Sequence, residues 1–175
     1  MRRRPRGSLL ALSALLFAFA FSPNERVSCQ TENRTVVALV VHKENRVTDI
    51  SLKDAQSFFK LEKKRWPGGD GPAAAKEVVI FLRKAGSAEQ ETLLQKVFEM
   101  TADKLERYWV ERVYQGEISS PPSTKATAQR AIKAVSQNVT ALTCILLSEV
   151  TEDVKVLTID GKRPGDPDYP LVVEK

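Results

Sequence analysis

The sequence predicts one α/β layered domain, in which helices cover a mostly parallel sheet, and three observations lead there. Apolar β-branched runs of strand length alternate with segments whose apolar residues recur every three or four positions. The helical segments open on serine or threonine residues able to cap them. The 175 residues, 42% hydrophobic and 28% charged, are enough to bury one core and too apolar for a disordered tail.

Residues 35–41 (TVVALVV) read as a strand buried on both faces. Ser51 then caps a helix with Asp54 in its first turn, and Leu52, Ala55, Phe58 and Phe59 form its apolar stripe. Residues 66–72 (WPGGDGP) end any regular element. Residues 77–82 (EVVIFL) supply the second strand. Ser87 caps the next helix with Gln90 at the capping-box position, and Leu93, Leu94, Val97 and Phe98 face inward. Thr101 starts another helix, carrying Leu105, Tyr108, Trp109, Arg112 and Val113 at the same period. Pro121 and Pro122 fix a loop over 116–123. Thr124 is expected to cap a last helix reaching about Gln137, with Ala131, Ile132 and Val135 inward. Residues 141–147 and 154–159 read as two further strands, joined by the acidic turn 148–153.

The formal net charge of +5 suggests a polyanionic partner at first sight. Of the 27 basic side chains, however, four are Arg2, Arg3, Arg4 and Arg6, which leaves 23 against 22 acidic ones. The basic character belongs to the leader, and nucleic acid is not expected as a partner. That leader joins the arginines to a 14-residue apolar run over 8–21, with small residues at Ala18 and Ala20. It reads as a secretory signal peptide over 1–20, followed by a polar spacer over 21–34 and one domain over 35–175. A run of that length is short for a membrane span of about 20 residues. The expected location is periplasmic or secreted; lipid anchoring at Cys29 is disfavoured because Arg26 stands where a lipobox wants leucine.

Cys29 and Cys144 cannot make a disulfide framework, and His42 is the one histidine. No metal site and no cofactor is expected. No nucleophile elbow, phosphate-cradling glycine loop or paired catalytic carboxylates is visible, so no enzymatic activity is expected.

Four passages together resemble the phosphate-type periplasmic substrate-binding proteins of ABC transporters. They are Val40-Val41-His42-Lys43-Glu44-Asn45 leading into Ile50-Ser51-Leu52; Phe58-Phe59-Lys60 through Trp66; Arg83-Lys84-Ala85-Gly86-Ser87; and Asp160-Gly161 with Tyr169-Pro170-Leu171. The resemblance runs from Thr35 to Leu171. It implies a single Rossmann-like lobe of a type II periplasmic-binding-protein fold, matching the second lobe of the longer family members. It further implies phosphate or another small oxyanion as ligand, held by Arg83, Gly86 and Ser87, and an ABC transporter permease or envelope protein as partner. A lobe standing alone leaves its cleft face open, from which a homodimer through that face is expected.

Two departures from the family pattern point to an alternative, an envelope interaction or scaffold domain with a degenerate anion site. Ala88 and Glu89 follow Ser87 where the family has glycine and threonine, and a Glu89 carboxylate about 4 Å from an anion costs on the order of 4 kcal/mol. Leu142-Thr143-Cys144 stands in place of Ile-Gly-Tyr. Individual residues carry paired readings as well. Ser87 serves as an ordinary N-cap or a ligand contact. Arg83 serves as an anion contact or pairs at the surface with Glu89 or Glu91. Tyr108 and Trp109 pack or offer a stacking platform, Trp66 anchors a loop or cages a ligand, and residues 60–65 (KLEKKR) are a solvated face or a docking site.

Overall fold

The computed structural model describes residues 34–67 and 76–174. The signal peptide, nearly all of the polar spacer, Cys29, and most of the Gly-Pro passage after Trp66 lie outside these. Strand β1 (Arg34–His42) is the axis of the architecture. It pairs antiparallel with β5 (Ala141–Leu146), β6 (Val154–Val156) and β8 (Val172–Glu174), with Leu39 opposite Cys144 in the β5 register. Strands β3 (Val79–Arg83) and β4 (Ser123–Lys125) extend the sheet beyond β5 through parallel pairings. The order is β4-β3-β5-β1-β6, with β8 also on β1. All strands of this six-stranded sheet except β1 therefore run the same way, which is the sense in which it is mostly parallel. A separate parallel pair joins β2 (Asp49–Ile50) to β7 (Thr158–Ile159).

Residues 37–41 of β1 are fully buried because helices cover both faces of the sheet. The two-residue period of the strand sorts them. Val37, Leu39 and Val41 enter the larger core with Phe58, Phe59, Phe98 and Trp109. Ala38 and Val40 face the smaller one, against Ala131, Ile132 and Val135.

The helix caps follow the sequence in three cases. Ser51 Oγ accepts from Asp54 N at 3.0 Å to open α1 (Leu52–Phe59). Ser87 Oγ accepts from Gln90 N at 3.3 Å to open α2 (Ala88–Leu93), and Thr101 caps α3 (Ala102–Tyr114). A π-helical turn, Leu94–Phe98, continues α2 and ends at Glu99, whose φ of 54° is left-handed.

Thr124 does not cap a helix. It lies in β4, paired with Leu82, and Thr127 caps α4 (Ala128–Ser136) instead. The physical reason is the open parallel edge of β3, which takes up 123–125 before the helix can start. The expected strand over 154–159 is two strands broken at Leu157, whose N–H turns back to Leu39 O at 2.9 Å. Asp160 and Gly161 adopt φ of 52° and 74°. This turn sits over α1, where Asp160 Oδ2 accepts from Leu52 N at 3.2 Å.

Candidate functional site

Arg83 is the last residue of β3, and the turn that follows carries the chain to the start of α2. Ser87 N–H donates to Lys84 O at 3.1 Å within that turn. Gly86 at its apex has φ of 77°, and a Cβ placed there meets nothing within 4 Å. Backbone conformation, rather than close approach of any group, therefore calls for glycine at this position. The structure thus brings Arg83, Gly86 and Ser87 to one short turn.

The guanidinium of Arg83 is already engaged. Its Nε donates to Glu89 Oε1 at 2.8 Å, and its Nη1 donates to Lys125 O at 3.0 Å, tying β3 to β4. The pair is buried, with 7% of the Arg83 side chain and 4% of the Glu89 side chain exposed. Of the readings offered by the sequence, the ion pair with Glu89 is the one present, but in the interior rather than at the surface. Glu89 turns toward the arginine because a carboxylate in the first helical turn near a strand-end guanidinium gains a charge-assisted bond that solvent does not screen. The repulsion of an incoming anion estimated from sequence is thus replaced by direct occupation of a guanidinium edge.

Ser87 behaves as an N-cap, and only half of the expected capping box forms. The reciprocal donor would be Ser87 N–H, which donates to Lys84 O instead; Gln90 Oε1 is left buried without a hydrogen-bond partner among the described residues. Below the turn lies Cys144, fully buried. Burial, and secondarily the Glu89 carboxylate, push its thiol well above the usual range. It packs as a hydrophobe, as its place in an apolar run implied. Leu142 and Thr143 are equally buried, and Thr143 Oγ1 donates to Phe81 O at 2.8 Å.

Beside the turn is an open cleft of about 520 Å³, walled by Leu82, Leu94, Leu105, Trp109 and Pro121, with Glu91, Asp103 and Glu106 among the residues lining it. Trp109 is edge-on to Phe98 at 6.2 Å between ring centroids, so it packs while lending one side to the cleft. Tyr108 OH donates to Lys60 O at 3.1 Å. Trp66 is a packed loop anchor, its Nε1 donating to Thr140 O at 3.3 Å. Among the described residues, no group of His, Cys, Asp and Glu is placed to hold a metal ion. Sequence reasoning missed the cleft itself; its signal was the recurrence of Ala102, Leu105, Glu106, Trp109, Val110 and Val113 on one face of α3.

No family model and no curated protein sequence matches the chain. Solved structures do match its fold. An ABC-type phosphate transport receptor from Vibrio cholerae aligns with TM-score 0.62 and 15% identity over 79% of this chain and 54% of its own. PstS from Borrelia burgdorferi aligns with TM-score 0.61 and 12% identity over 81% and 55%. A protein assigned as a phosphate ABC transporter substrate-binding protein, from Clostridium perfringens and with phosphate bound, gives TM-score 0.59 and 21% identity over 75% and 47%. The chain spans about half the length of each of these proteins. An α/β sheet with one reversed strand, flanked by helices and matched at these scores, has the fold of the phosphate ABC transporter substrate-binding proteins.

Proposed function

We propose that the chain is an exported, non-catalytic binding module whose oxyanion position is filled by its own carboxylate, and that it binds a protein partner of the cell envelope. The observation that carries this reading is the buried Arg83–Glu89 pair at 2.8 Å. A guanidinium recognises an oxyanion through paired N–H donors. Here one donor edge holds Glu89 and another nitrogen holds a backbone carbonyl, so a free oxyanion has to displace an internal anion that loses no translational freedom on binding. The leader over 1–20 supports export to the periplasm or beyond, and mass spectrometry of the mature N-terminus tests it.

The fold favours a second reading, in which Arg83, Gly86 and Ser87 contact phosphate or a related oxyanion once Glu89 swings away, and the chain serves an ABC permease. Isothermal titration calorimetry of the mature protein with phosphate, sulfate and molybdate, beside a Glu89→Thr variant, separates the two. The first reading expects no heat from the unaltered protein, whereas micromolar binding by it establishes the second.

A further inference from the structure

The cleft beside Arg83 is the wrong chemistry for an anion and the right one for a cation attached to an apolar group. Its walls are apolar, and the charged side chains lining it are Glu91, Asp103, Glu106 and the already neutralised Arg83. Gln90, more than nine-tenths buried, also lines it, and its amide oxygen has no donor among the described residues. The charge of the lining is thus negative.

The apolar surface also continues past the cleft. Helix α3 turns Leu105 and Trp109 inward, yet Val110, Val113 and Tyr114 stay 64%, 39% and 91% exposed. Val110 lines the cleft itself, and Tyr114 follows it one helical turn later. A helix that needs only its inward stripe for packing has no internal use for apolar residues at these positions. A surface of this composition, apolar at its centre with a charged rim, has the anatomy of a polypeptide interface.

We infer that the cleft and the adjoining face of α3 dock a basic, apolar polypeptide segment, one whose aromatic or aliphatic side chain enters against Leu105, Trp109 and Val110 while its lysines or arginines meet Glu91, Asp103 and Glu106. This deepens, and rests on, the reading of the chain as a protein-binding module. The rim charges set orientation and encounter rate, and the apolar anchor supplies most of the affinity.

The test uses fluorescence anisotropy of a short capped peptide of phenylalanine and lysine, and of its counterpart with glutamate in place of lysine. The lysine peptide is expected to bind the unaltered mature protein at least about tenfold more tightly than the glutamate peptide, with the preference shrinking as salt rises. Glu106→Lys and Val110→Ser, both at exposed positions, are each expected to weaken the lysine peptide by about tenfold. Amide shifts in a ¹H–¹⁵N spectrum are expected along α3 and at Gln90. Equal binding of the two peptides, no binding of either, or shifts confined elsewhere overturns the inference. So does sedimentation showing that a second copy of the chain covers this face. Phosphate titrated in the same experiment keeps the two failures apart. Micromolar phosphate binding refutes the protein-binding reading itself, whereas silence from both phosphate and peptides refutes only the assignment of this cleft.

Discussion

Removing the Glu89 charge exposes the physical state of the anion position. In Glu89→Gln the side chain keeps its shape and one acceptor for Arg83 Nε, but the guanidinium, on a side chain only 7% exposed, loses its counter-charge. Breaking a buried ion pair from one side costs about 3–5 kcal/mol, because the surviving charge remains desolvated. The retained acceptor places Glu89→Gln near the lower end, at about 3 kcal/mol, and Glu89→Ala near the upper. With a urea dependence of about 2 kcal/mol per molar for a domain this size, the unfolding midpoint drops by roughly 1.5 M. Phosphate then becomes a stabilising ligand for the variant. At about 100 times its dissociation constant it restores about 2.7 kcal/mol by mass action, at low millimolar concentrations that leave general salt effects small. The unaltered protein shows no such rise. A Glu89→Gln cost under about 1 kcal/mol, the range of an exposed pair, refutes the argument, and so does a phosphate-dependent rise in the midpoint of the unaltered protein.

Three further outcomes follow from particular side chains. Thr127→Ala removes the α4 cap and costs about 1 kcal/mol in urea unfolding, whereas Thr124→Ala, at an exposed β4 position, stays within about 0.5 kcal/mol. The Lys63 hydrogen bond at 2.8 Å, opposed by partial burial, holds the Asp54 carboxyl below its ordinary value of 3.8. That contribution is present above the ordinary value and is lost as pH falls through the lowered one; with both side chains about a third exposed, Lys63→Ala costs at most about 0.5 kcal/mol at neutral pH and nothing at the acid end, read from unfolding midpoints across pH. In a Cys29→Ser protein, Cys144, buried and with its thiol pushed up, reacts with iodoacetamide only as fast as the domain opens, so mild urea accelerates labelling in step with unfolding; labelling at the rate of a free thiol contradicts its placement.

Much of the fold was legible in the chain because local chemistry and tertiary structure agree. The run 35–41 is apolar at every position, and only a strand covered on both faces uses all of it. Ser51, Ser87 and Thr101 each stand before an amphipathic stripe, and each caps. Thr124 misled because three residues beside a long loop carry no periodicity of their own; what makes 123–125 a strand is the edge of β3, a partner distant in sequence. The reversed direction of β1 was illegible for the same reason, since a buried run reads alike in either orientation.

At the candidate site the proximity of the three residues was legible, and the engagement of the guanidinium was not. Arg83, Gly86 and Ser87 do share one turn, and Glu89 stood out as a departure with two outcomes, repelling an anion or pairing with Arg83. Choosing between them required knowing that β4 and Cys144 enclose the pair, which no spacing rule conveys. The exposed face of α3 escaped notice because Val110 and Tyr114 continue an ordinary helical pattern. Only burial separates a residue packed inside from one left outside.

The most direct measurement is the Nε–H resonance of Arg83 in a ¹H–¹⁵N spectrum of the unaltered protein as phosphate is added. A guanidinium edge held by Glu89 predicts a slowly exchanging signal that does not move with phosphate and disappears from its position in Glu89→Thr. A saturable shift of that signal in the unaltered protein at micromolar phosphate contradicts the account, and makes Arg83 an open anion contact.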